Sequence, residues 1–94
     1  MTAGQRAALH RLAQELVQTR PDLFDPVHPL LGRLRAGAPV DEISGEELIG
    51  LIAEGRMRAR QQKDWATGDA IRSRLQGLGV LLEDSPAGWT WRLR

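Results

Sequence analysis

Proline and glycine cut this chain into segments, each long enough for only a short helix or strand. Pro21, Pro26 and Pro29 crowd one stretch. Arg20-Pro21 ends any helix before it, because the residue preceding a proline is driven out of the helical region. Gly37 and Pro39 stop a second helix, Gly79 closes a later one, and Ser85-Pro86-Ala87-Gly88 is a turn cluster. Between these breaks the apolar spacing is helical. Leu9, Leu12, Ala13, Leu16 and Val17 predict a helix over 2–19 with Thr2 as its N-cap. Residues 21–29 read as a loop, and 30–34 as a short helix. Ser44-Gly45-Glu46-Glu47 forms a capping box, with serine and Glu47 exchanging bonds with each other's backbone N–H. The helix it starts runs to about 62 and buries Leu48, Ile49, Leu51, Ile52 and Ala59. Gly55 within it is expected to weaken it by up to about 1 kcal/mol relative to alanine. Asp64 caps a helix over 65–78 whose core face is Ile71, Leu75 and Leu78. Residues 80–84 and 89–93 read as two strands of a hairpin. The expected fold is mainly α with a small C-terminal β-hairpin (α+β): a helical N-terminal segment, a helix pair and a two-stranded antiparallel hairpin.

Ninety-four residues hold one small domain and leave no room for a nucleotide-binding catalytic domain with a substrate domain. There is no cysteine, so no disulfide, thiol nucleophile or thiolate metal site. His10 and His28 each lack a ligand partner at helical spacing. The acid pairs Asp41/Glu42 and Glu46/Glu47 stand at a helix start, where they complement its dipole. No glycine-rich phosphate loop or nucleophile elbow occurs. The residues therefore point away from an enzyme, with no metal and no cofactor expected. No apolar run approaches the roughly 20 residues that span a bilayer. Met1 to Gln5 lacks the pattern of a secretory signal. A cytoplasmic location without membrane partners is the expectation.

Net charge is +1, but it is unevenly spread. From Leu48 onward eight basic residues face five acids, whereas the first half has five against seven. Only one basic residue, Lys63, is a lysine. Arginine forks suit phosphate and base edges, and their planes stack on bases. A general codon preference for arginine explains the bias equally well. On the helix over 65–78, Trp65, Asp69 and Arg72 share a stripe about 120° from the core face. Arg56, Arg60 and Lys63 form another on the preceding helix, and the hairpin adds Asp84 and Trp91. Such a set suits unpaired RNA, whose bases stack on aromatic and guanidinium planes and present their edges to polar groups. The same residues also allow a plain surface, with Asp69 and Arg72 as an i,i+3 pair and Trp65 packed on the hairpin. Spacing alone does not decide between them.

The same residues form an ordered string. It runs Arg60-Gln61-Gln62-Lys63-Asp64-Trp65-Ala66, then Asp69 and Arg72, then Gly79-Val80-Leu81-Leu82-Glu83-Asp84, then Pro86-Ala87-Gly88-Trp89-Thr90-Trp91-Arg92. This resembles the C-terminal tail of bacterial cysteinyl-tRNA synthetases, over about half the chain from near Glu47. The resemblance implies a small mixed α/β unit that contacts the anticodon of cysteine tRNA. It implies base contacts from Arg60, Trp65, Asp69 and Asp84, with Arg60 and Asp69 addressing a guanine in the first anticodon position. Phosphate contacts are expected from Arg56, Arg58, Lys63, Arg72 and Arg92. The family's catalytic signatures and zinc ligands do not occur in these residues. Gly68 stands where alanine or another small residue is common, and Trp89 where the family usually has a small or polar one.

The expected organisation is residues 1–44 as a helical extension packed on the core and 45–94 as the tail-like module. The expected role is a stand-alone, non-catalytic tRNA-binding module, with a synthetase or other protein in trans as a further partner. The rival readings are a protein-interaction or regulatory module, with Trp89 as its exposed anchor, and a basic RNA binder indifferent to the anticodon.

Overall fold

A computed structural model describes residues 1–94. Helix α1 (Ala3–Thr19) starts at Thr2, whose hydroxyl accepts from the Gln5 backbone N–H at 3.0 Å. The Gln5 side chain accepts in turn from the Thr2 N–H at 2.7 Å. This is the reciprocal box that the sequence pattern placed at Ser44. At Ser44 only half of it forms. The Ser44 hydroxyl accepts from the Glu47 N–H at 3.1 Å, but the Glu47 carboxylate meets the Ser44 hydroxyl and lies 3.7 Å from Arg33. Arg33 gives that carboxylate a charged partner, which competes with the backbone for it.

The stretch 21–29 corrects the expectation of a plain loop. Pro21–Leu23 is a 3₁₀ turn, and Pro29 opens helix α2 (Pro29–Arg35), where a missing N–H matters least. The His28 ring nitrogen Nδ1 accepts from the Leu30 N–H at 3.1 Å and so caps it. Leu23 and Phe24 plug the core from this stretch. A second 3₁₀ turn, Val40–Glu42, leads into helix α3 (Gly45–Gln61). Gly55 of α3 explains its own presence: a Cβ there would lie 2.9 Å from the Phe24 ring. The helix gives up propensity so that Phe24 can seat.

Helix α4 (Trp65–Gly77) follows α3 after a sharp corner. Lys63 carries that corner at φ 62°. The Lys63 N–H bonds to Arg60 O at 2.9 Å and the Asp64 N–H to Ala59 O at 2.8 Å, the bonding of a Schellman motif. The Asp64 carboxylate then caps α4 by accepting from the Thr67 N–H at 3.3 Å. Gly79, at φ 82°, turns the chain into strand β1 (Val80–Ser85), which pairs antiparallel with β2 (Gly88–Leu93) in the register Val80↔Leu93 to Ser85↔Gly88.

The core joins α1, the Leu23–Phe24 plug, α2, α3, α4 and β1 in one cluster of 21 buried residues. The apolar stripes of α1 and α3 face each other, and α4 packs on α3 with the hairpin beside it. The fold is the expected α+β arrangement: four helices and a C-terminal hairpin.

Lysine in a left-handed conformation costs about 1 kcal/mol that glycine avoids. Lys63→Gly is therefore expected to stabilise the fold by about 1 kcal/mol in urea unfolding at neutral pH. An unchanged or lower midpoint would show that the Lys63 side chain holds the corner by contacts of its own.

Candidate nucleic-acid interface

Helix α3 delivers two arginines one turn apart, and they differ sharply in setting. Arg56 is 2% exposed and Arg60 faces solvent. Ile52, Arg56 and Ala59 recur at helical spacing, which puts Arg56 on the buried stripe of α3. A buried guanidinium needs a counter-charge. Asp84 near the hairpin turn supplies it: Arg56 Nη1 donates to Oδ1 at 2.9 Å and Nη2 to Oδ2 at 3.0 Å. Both terminal nitrogens bond to Asp84, Nε is buried without a partner, and the side chain is almost wholly out of solvent, so Arg56 is not presented to an RNA phosphate as expected. Its role is to hold Asp84.

Arg60 Nη1 donates to Asp84 Oδ2 at 3.2 Å, and its guanidinium carbon lies 5.8 Å from the centre of the Trp65 ring. Gly68, one turn into α4, makes this possible. A Cβ there would sit 3.2 Å from Arg60 Cγ, so the glycine gives the Arg60 stem room to lie on α4. Trp65 itself is 55% exposed. Arg56, Arg60, Trp65, Asp84 and the turn residues Ser85 and Pro86 line one open cavity of about 390 Å³. The Arg56 fork, with the nearby charges of Arg60 and Arg72, holds the Asp84 carboxyl below the usual aspartate range. It stays ionised and can only accept hydrogen bonds.

The structure thus brings together Arg60, Trp65 and Asp84 from three elements. Asp69 is exposed one turn beyond Trp65, outside the cavity wall. Neither Asp69 nor Arg72 forms an ion pair, and they do not pair with each other. Trp65 is not buried against the hairpin, since more than half of it is exposed. Trp89 and Trp91 do the packing, half-buried against the core, so Trp89 is not the exposed anchor expected of an interaction module. Of the other cations, Arg58, Lys63 and Arg72 are unpaired, while Arg92 binds Glu83 at 2.7 Å on the hairpin. No group of three His, Cys, Asp or Glu side chains gathers where a metal could be held. No helix is long and apolar enough to cross a membrane.

Fold and site together define a small helical domain that turns an arginine–tryptophan–aspartate cluster toward solvent. Known proteins resemble the segment that carries this cluster. Residues 54–92 match the family model of the cysteinyl-tRNA ligase anticodon binding domain. The cysteine–tRNA ligase of Klebsiella pneumoniae strain 342 is 49% identical over 88 residues, 92% of this chain and 17% of that ligase. That of Pelotomaculum thermopropionicum is 39% identical over 104 aligned residues, 97% of this chain and 22% of the ligase. The Salmonella newport ligase is 42% identical over 77 residues, 82% of this chain and 14% of the ligase. The chain spans about a fifth of the length of the first two relatives. No solved structure matches it. The resemblance read from the residues holds, and it reaches well beyond the tail into the N-terminal half.

Because the folded-state ionisation of Asp84 lies below its unfolded value, the pair contributes stability at neutral pH. That contribution fades as pH falls below about 3.9 and through the depressed folded value. Asp84→Asn is expected to lose about 1–3 kcal/mol at pH 7, since Arg56 remains buried without its counter-charge. The gap between the two proteins should narrow toward pH 2 in urea titrations. A pH-independent gap would show that the carboxylate's charge contributes nothing.

Proposed function

We propose that this chain is a non-catalytic tRNA-binding module that reads an anticodon, with a cysteine-type anticodon as its preferred target. The observation that carries this reading is the convergence of Arg60, Trp65 and Asp84 around one cavity, within the segment that matches the anticodon binding domain. An unpaired base stacks on the open face of Trp65, beside the Arg60 guanidinium. Arg60 donates to guanine acceptors, while Asp69 and Asp84 accept from amino and imino groups. Asp84 can do so because Arg56 already fixes its orientation and charge. The absence of an Asp69–Arg72 pair leaves both side chains free for such contacts.

Arg58, Lys63, Arg72 and Arg92 provide the phosphate contacts in this reading, and Arg56 supports the site from beneath. Residues 45–94 form the reading unit and residues 1–44 its scaffold, a division supported by the packing of α1 on α3. The descriptions of the relatives, cysteine–tRNA ligases, favour tRNA over RNA in general.

Fluorescence anisotropy with anticodon stem-loops tests the reading. A cysteine-type loop is expected to bind more tightly than loops with altered anticodon bases, with a log–log salt slope of about −0.7 for each phosphate contacted. Trp65→Ala should weaken binding by about 1–3 kcal/mol. Asp69→Asn should narrow the preference among loops more than it lowers affinity. Equal affinity for loops with scrambled anticodon bases would overturn the claim of anticodon reading.

A further inference from the structure

Trp65 presents a difficulty that its own packing does not solve. More than half of the side chain is in water, so apolar contact alone does not fix it. Its place depends on the first turn of α4, which begins directly after the left-handed residue Lys63. First-turn N–H groups have no partner within their own helix, so this turn relies on what caps it.

One side chain from the other end of the fold reaches it. Arg20 closes α1, its N–H bonded to Leu16 O at 2.8 Å, so its backbone belongs to the α1 framework. Its Nη1 donates to Asp64 Oδ2 at 2.7 Å and to Thr67 Oγ1 at 3.0 Å. Its Nε and Nη2 donate to the two oxygens of Asp22 at 3.1 and 3.0 Å, which fixes the plane of the guanidinium. Asp64 is thereby divided: Oδ1 caps α4 through the Thr67 N–H, and Oδ2 anchors α4 to α1. The Arg20 bond is the main cause holding the Asp64 carboxyl below its usual range, so this acceptor is charged at neutral pH.

We propose that Arg20 is a positioning residue for the RNA-reading surface, fixing the first turn of α4 and with it the place of Trp65 against Arg60. The proposal rests on the anticodon-binding reading for its functional consequence, and on Arg20, Asp64 and Thr67 for its geometry. It gives the N-terminal segment a part in the site, across 44 residues of sequence. Lysine cannot replace the fork, because one ammonium does not reach both carboxylates and the Thr67 hydroxyl in a fixed plane.

The test compares wild type, Arg20→Ala and Arg20→Lys in the full chain. ¹H–¹⁵N spectra follow the Trp65 indole N–H, assigned by its loss in Trp65→Phe, and anisotropy follows a cysteine-type anticodon stem-loop. Arg20→Ala is expected to unfold cooperatively, to shift the Trp65 indole and the amides around it, and to lose about fivefold in affinity, the lower end of one base stack. It should also narrow the ratio between matched and altered loops, which a mere fall in folded fraction does not do. Arg20→Lys should recover only part of each effect. An unmoved Trp65 indole, an affinity within twofold of wild type, an unaltered loop ratio or full recovery by lysine would each overturn the proposal. If wild type binds no stem-loop, the anticodon reading fails by itself, and the indole resonance still decides whether Arg20 places Trp65.

Discussion

A buried guanidinium left without a counter-charge weakens a fold, and Asp84 is the partner that Arg56 has here. The pair spans 28 residues and ties α3 to the tip of the hairpin. A lone buried ion costs several kcal/mol, so the hairpin is held where Asp84 can reach the Arg56 fork. From that constraint the site follows. Asp84 takes a second bond from Arg60, Arg60 lies over Trp65, and Gly68 gives the Arg60 stem room on α4. The cluster that faces solvent is anchored by one that does not.

The N-terminal half completes this frame. Its apolar stripe covers α3, and polar bonds then tie it to α4. The Gln5 side chain donates to Leu78 O at 2.9 Å near the end of α4, Glu15 pairs with Arg74 along it, and Arg20 meets its first turn. Three contacts along one helix fix its tilt as well as its distance. Similarity to cysteine–tRNA ligases over 92–97% of the chain agrees with a frame shared by both halves rather than a tail with an unrelated cover.

Local pattern carried the fold a long way. Helical spacing at Leu9 to Val17 and at Leu48 to Ala59, the Ser44 and Asp64 caps, and the stop at Gly79 located all four helices and the hairpin to within about a residue or two of their observed ends. Local pattern failed where the determining partner is remote. Nothing around Phe24 tells that its ring fills the space left by Gly55, so the proline-rich stretch read as a loop. Arg56 read as a phosphate ligand because its charge was weighed above its spacing from Ile52 and Ala59. That spacing was the available signal for burial. Trp89 read as exposed because strand alternation cannot tell which face of a two-stranded hairpin meets the helices. Arg20 and Asp64, 44 residues apart, leave no trace in any local window.

In the proposed reading, Arg60, Trp65, Asp69 and Asp84 meet the bases of an anticodon loop, and Arg58, Lys63, Arg72 and Arg92 meet its phosphates. Titration of the ¹⁵N-labelled chain with a cysteine-type stem-loop tests this most directly. The largest shifts are expected at Arg60, Trp65, Asp69 and Asp84, with the exposed faces of α1 and α2 unmoved. Shifts centred on α1 or α2, or none at all at low salt, would contradict it.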